Sequence, residues 1–385
     1  MLCYAALGAV LGILPDYVHS LGGEAVLVGL AVGAPALTGA AGRPFGGRLA
    51  DRLGPARIMV AGAVVMAAGT IPAFVPSLPL LIVSRLVVGA GEASMMAAAV
   101  LWLLRLAGPE RRGRAMGHIG LANYAGLTVG PPLSQALGGA SNSDLVWIAA
   151  AALPLISAGL AALQARSPEA RAAHVSDQQN EQAETDEPQP KAWKVTLRPG
   201  LGLMLVNFGY VALLSFGAAA VTEQHAGVAA LVIPVFGIGV IASRTILAGV
   251  PDRLGAGRTL TGAVVIESAG LAGVAVATSP PEALVALVIM AIGQGLAVPS
   301  LGLLALASVP PSRHGRTAGA FFAYFDAGVG LGGPAAGFVA RVADPTGAML
   351  AAAGAVLVTA PVALLGRTEP SARSRRRLIE PDAAT

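Results

Sequence analysis

Twelve times along this chain an apolar run passes with no more than two charged residues. Each is about as long as the twenty or so residues a helix needs to cross a bilayer. The runs fall near 2–18, 25–47, 58–75, 79–104, 115–138, 145–164, 198–220, 226–250, 259–278, 282–308, 315–340 and 346–366. In lipid every backbone N–H and C=O must be satisfied within the protein, so only helices or closed barrels span. These runs do not alternate polar and apolar residues as barrel strands do. The expected fold is therefore an all-α integral membrane protein with twelve transmembrane helices. A content of 55% hydrophobic and 12% charged residues excludes a soluble globular chain.

The cations orient the spans. With the N-terminus inside, the inner loops are 48–57, 105–114, 165–198, 252–258, 310–316 and the tail from 366. Of the 25 Lys and Arg residues, only Arg341 then lies outside, and Arg85 lies within a span. That is the positive-inside bias of a cell (plasma or inner) membrane protein, multi-pass, with cytoplasmic N- and C-termini. The net charge of +4 reads as topology, so no nucleic-acid partner is expected. The one cysteine, Cys3, excludes an intrachain disulfide and a Cys-cluster metal site. No metal or cofactor is expected.

The chain also repeats itself. Asp51-Arg52-Leu53-Gly54-x-x-Arg57 returns 201 positions later as Asp252-Arg253-Leu254-Gly255-x-x-Arg258, and Arg43 returns as Arg244. "RRGRAMG" (111–117), with Arg114, matches "RHGRTAG" (313–319), with Arg316. Matched spacing over so long a stretch predicts two six-helix bundles related by pseudo-two-fold symmetry, as parallel repeats about the membrane normal. The N-terminal bundle takes residues 1–164 and the C-terminal bundle 198–366. An acidic segment within 165–197 reads as a flexible cytoplasmic linker, and 367–385 as a basic cytoplasmic tail on anionic lipid. Residues 1–14 lack the basic start of a signal peptide. The offset maps Arg198-Pro199-Gly200 before Met1, which suggests a first helix cut short.

These motifs, in this order, resemble the major facilitator superfamily over essentially the whole chain. The turn between spans 2 and 3 is similar to the family signature through Gly47, Asp51, Arg52, Gly54 and Arg57, with Pro55 and Ala56 in place of the usual basic pair. Span 4 carries Arg85, Gly89 and Gly91 of a second pattern. Span 5 has Gly126, Gly130 and Pro131, the first half of a motif of drug/proton antiporters, but Ser134-Gln135 replace its final glycine pair. Span 11, with Gly328, Gly332, Gly333 and Pro334, is similar to bacterial sugar-efflux and multidrug-efflux branches. Small residues four apart let helices approach closely, so these glycines read as helix packing. Gly328-x-Gly330-x-x-Gly333 sits inside a span, outside any βαβ unit, and is no dinucleotide fingerprint. The resemblance implies that Asp51 latches the inner face in one state, together with Asp252, Arg253, Arg258, Arg114 and Arg316.

Ionisable groups at membrane depth are costly, about 2.5–3.5 kcal/mol even on the lenient scale, so they should face a cavity or a partner. Arg85 and Glu92 share one face of span 4, about 10 Å apart along the axis. Glu92 and Asp326 are the leading candidates for groups that take up and release a proton. The resemblance assigns proton coupling to Arg85, and Asp16, near the outer end of span 1, joins the set. Glu267, midway along span 9, reads as structural. The repeat pairs Glu92 with Gln294, and Asp326 with Tyr124. Asn123, Tyr124, Asn207, Gln294 and Tyr324 are candidates to line a substrate cavity.

The expected function is secondary active transport by alternating access, exporting a small amphipathic, drug-like or sugar-like molecule in exchange for protons. A proton symporter importing a nutrient and a non-transporting membrane sensor stay open as alternatives. No nucleophile–base arrangement is legible, so no enzyme is expected. The expected partners are a small-molecule substrate, protons and the lipid bilayer, around a monomer.

Overall fold

The computed structural model describes residues 1–107, 112–166, 192–222, 226–307, 309 and 314–364. Most of the expected linker, and the whole basic tail, lie outside the described residues. Among the described residues there is no strand.

A helix stands in each of the twelve predicted segments. α1 is Leu2–Leu11, continued by Leu14–Ser20 after a 45° bend. Then come α2 (Ala25–Leu53), α3 (Pro55–Gly69), α4 (Leu78–Ala107), α5 (Arg112–Ala136) and α6 (Ser143–Gln164). α7 runs Leu197–Ala212 and passes through a π turn, Leu213–Gly217, into Ala218–Thr222. α8 is Val232–Ile246, α9 Ala256–Val276 and α10 Pro280–Leu306. The stretch His314–Leu357 holds two rods, α11 and α12, broken where Ala343 and Asp344 leave helical geometry just before Pro345. Among the described residues eight stretches are long and apolar enough to cross a membrane, nine with the bent pair; His314–Leu357 supplies one for its two rods. α8 is short at 15 residues. α5, with Asn123, Thr128, Ser134 and Gln135, is too polar to pass such a test alone, and it lies against α1 and α8 inside the protein.

The turns differ from the sequence reading. The inner loop expected over 48–57 is almost entirely helical, because α2 runs to Leu53 and α3 starts at Pro55. Gly54 alone reverses the chain, at φ 92° and ψ 135°. Gly255 repeats it at φ 84° and ψ 143°, between the short helix Val250–Leu254 and α9. Proline suits the first position of a helix, where its missing N–H costs nothing. Such a backbone is close to glycine's own territory.

Within the first half α2 packs on α4, α4 on α3, and α1 on α5 and α6; α9 and α10 pair in the second. Between the halves α2 meets α11 and α5 meets α8. Adding six to a label in the first half, and subtracting six in the second, turns one of these contacts into the other. The sequence repeat is thus a structural two-fold.

Candidate functional site

The α2–α11 seam is built from glycine at one end. Added Cβ atoms at Gly29, Gly33, Gly333 and Gly337 would each run into the facing helix backbone. Arg341, at the end of α11, adds an ion pair with Glu24 at 3.5 Å. Toward the face that carries the Gly54 and Gly255 turns, the described glycines make no such contact across the seam. A Cβ at Gly47 or Gly319 would meet nothing within 4 Å, and Phe45 is exposed. Glycine-on-backbone contact along this seam is thus confined to one end among the described residues.

Where the close contact ends, four polar side chains meet. Arg43 of α2 reaches Asp326 of α11, with Nε 2.5 Å from Oδ2 and Nη2 donating to Oδ1 at 2.9 Å. Its Nη2 also lies 3.8 Å from Glu92 Oε1 on α4. Tyr4 of α1 donates its hydroxyl to the same Glu92 oxygen. Gly39 makes room: a Cβ there would touch the Asp326 carboxylate at 3.5 Å. Both carboxyls are buried, Glu92 at 7% and Asp326 at 2% exposure. The one hydrogen bond of the pair, from Nη2 to Oδ1, is charge-assisted and therefore stronger than a neutral one. The chain Tyr4–Glu92–Arg43–Asp326 therefore joins the two halves electrostatically.

Of the sequence candidates, Glu92 and Asp326 come together. Arg85 does not join them. It is buried, and its Nε donates to Ala31 O at 3.0 Å, tying α4 to α2 beside the Thr38 to Leu86 O bond of 2.8 Å. Asp16 is exposed on the bent end of α1, away from the cluster. Arg43 and Tyr4 escaped the sequence reading as site residues, although Arg43 was visible as the repeat partner of Arg244.

The second interface is the first one's counterpart with different chemistry. Arg244 of α8 stands 4.6 Å from the centre of the Tyr124 ring on α5, where the first interface has an ion pair. Gln294 is fully buried with neither amide atom hydrogen-bonded among the described residues. Asn207 donates to Leu203 O at 2.8 Å and leaves its Oδ1 unmatched. Asn123 contributes one weak contact, Nδ2 to Met96 Sδ at 3.8 Å. Tyr324 turns away from the interior and donates to Trp193 O at 3.1 Å, on the short helix Ala192–Val195. Glu267 is fully buried between α7 and α10, facing Gly209 and Gly293, with no partner for either oxygen among the described residues.

The glycine motifs pack helices. Gly126 and Gly130 of α5 sit against the α1 backbone at Met1–Ala5 and Gly8–Ala9, with Pro131 next to Gly12. Gly328 and Gly332 face Met204 and Phe208 of α7, while Gly333, next to Pro334, faces α2. The signature charges Asp51, Arg52, Arg57, Asp252, Arg253 and Arg258 are all exposed, beside the Gly54 and Gly255 turns. The Arg114 and Arg316 side chains lie outside the described residues.

Two six-helix halves joined by a buried charge cluster have the build of a membrane carrier rather than an enzyme. The family model of the Major Facilitator Superfamily matches residues 1–332 and 221–383, and the chain belongs to that superfamily. It is 31% identical over 376 residues to an uncharacterised MFS-type transporter of Salmonella typhimurium, covering 94% of both chains. A second such transporter, from Burkholderia mallei, is 31% identical over 349 residues, covering 88% of this chain and 83% of that one. Among solved structures the fold resembles the nucleoside transporter NupG, with a TM-score of 0.73 at 16% identity over 93% of this chain and 95% of that one.

Proposed function

We propose that this transporter exports a small amphipathic molecule, drug-like or sugar-like, in exchange for protons, by alternating access between its two halves. The observation that carries the reading is the Arg43–Asp326 pair, which spans the halves where the glycine-packed closure ends. Protonating Asp326 removes the charge that holds Arg43. Arg43 then turns to Glu92, already 3.8 Å away, so the cation keeps a partner while the bridge between halves is lost. That limits a cost that reaches about 3–5 kcal/mol when a buried charge is left alone. Proton and cargo are then bound in turn, and release of one accompanies binding of the other.

Orientation comes from the cations. The Arg-rich turns after Asp51 and Asp252 lie at the end away from the glycine packing, which the positive-inside bias puts in the cytoplasm. The conformation is then inward-open, awaiting cargo from inside. The glycine-packed seam and the Glu24–Arg341 pair form the outer gate.

The test is accumulation of a dye and antibiotic panel in a pump-deficient host, with and without a protonophore. Expression should lower accumulation of at least one compound, and the protonophore should abolish the effect. Glu92→Gln and Asp326→Asn should abolish it too, at unchanged protein level. Raised accumulation of the solute would overturn export, and full flux in both variants would overturn the carboxyl assignment.

A further inference from the structure

We infer that the cargo is an organic anion, and that Arg244 on α8 is the group that receives its carboxylate or phosphate. The inference rests on the transport reading above and names its substrate class. Arg43 and Arg244 occupy equivalent places on α2 and α8, one at each contact between the halves. Arg43 is answered by two carboxylates, Asp326 and Glu92. The repeat puts Tyr124 and Gln294 where those two acids stand, and both are neutral. A guanidinium stays protonated in a protein and offers five donors and no acceptor.

Arg244 has a ring face as its described contact, and its buried Nε has no acceptor among the described residues. Among the described residues no carboxylate lies within ion-pairing distance of it. The turn of α10 that carries Gln294 packs beside it: Ser243 donates to Ile292 O at 3.2 Å, and Gly295 lies against Ser243. Gln294 is fully buried, and both its amide atoms are unmatched. On α5, a Cβ at Gly120 would lie 3.4 Å from Arg244 Nη1, so glycine leaves that edge of the fork uncovered. A stacked cation with free forked donors, on a turn packed against the one that carries an unmatched amide, fits an oxyanion. A cationic cargo would meet an uncompensated like charge at this interface. A neutral cargo would leave it unpaired.

The purified full chain in detergent tests this with size-matched probes. Benzoate and phenylphosphonate are compared with benzamide and benzylamine for saturable stabilisation in thermal unfolding. One or both anions should stabilise the protein, and the neutral and cationic probes should not. Arg244→Gln should raise the half-saturating concentration roughly thirtyfold, the scale of removing one partner of a buried charge pair. Arg244→Lys should fall between. Tyr124→Asp supplies the acid that the other half already has, so it should abolish anion stabilisation with Arg244 in place; it decides the matter if Arg244→Gln folds poorly. The proposal is overturned if neither anion stabilises at millimolar concentration, or if the effect survives both Arg244→Gln and Tyr124→Asp. Protonophore-sensitive flux of a neutral or cationic cargo, indifferent to Arg244→Gln, would remove the anion site and leave the transport reading standing. Absence of flux for every cargo would remove the transport reading itself.

Discussion

Gly54 and Gly255 show how much one residue decides. Each turns the chain between two helices with a backbone that an L side chain rarely adopts. Gly47, seven positions before Gly54, is an ordinary helical residue with open space where a Cβ would go. Gly54→Ala and Gly255→Ala should each cost about 1–3 kcal/mol, the range for a residue held in a sparsely populated backbone region. Gly47→Ala should cost nothing, since alanine favours helix. Thermal unfolding of the three variants separates them, and equal midpoints would show that the turn geometry is not what those glycines supply. The charged turn was legible in the sequence as a repeated D-R-L-G, but its one-residue length was not. Helix-forming residues such as Leu49, Ala50 and Leu53 sit beside the charges and carry α2 to the glycine.

Among elements, α11 has the most to do. It lies between α2 and α7 with glycines toward both, Gly333 against Gly29 and Gly328 against Met204. Backbone contact of this kind is lost when a side chain is inserted, because packed interiors absorb little extra volume. Gly333→Val should therefore hold the outer gate open while leaving each half folded. In a Cys3→Ser background Ala340→Cys, buried on α11 seven residues after Gly333, should go from protected to alkylated by a membrane-impermeant maleimide once Gly333→Val is added. Continued protection would mean that the seam is not the gate. The spans themselves were legible from apolar run length. Their pairing was not, because Arg43 and Asp326 are 283 residues apart and nothing local ties them. Arg43 did leave a signal, an arginine near the end of a span that recurs as Arg244 in the second half. Tyr4 left none, since a tyrosine in an apolar run is ordinary until Glu92 is placed beside it.

At the scale of the molecule, the two-fold explains both the fold and the asymmetry on which transport depends. The repeat places α2–α11 and α5–α8 in equivalent contacts, yet one is bridged by an ion pair and the other by a ring stacked on a cation that has no carboxylate partner among the described residues. Two matching halves give a carrier two faces to open. Unequal chemistry at the seams lets a proton act on one and cargo on the other. That division was half legible: the sequence paired Asp326 with Tyr124 and Glu92 with Gln294, but only the fold brought Arg43 and Arg244 to face them.

The central claim is that protonation of Asp326 releases the halves. It is tested most directly by the distance between spin labels at Ser20→Cys and Val342→Cys, on either side of the outer gate in a Cys3→Ser background, measured from neutral to acid pH. With Asp326 charged the gate should be closed and the distance short. Acidification should shift the population to longer distances, and Asp326→Asn should show the long distances at every pH. A distribution that ignores both pH and Asp326→Asn would contradict the account.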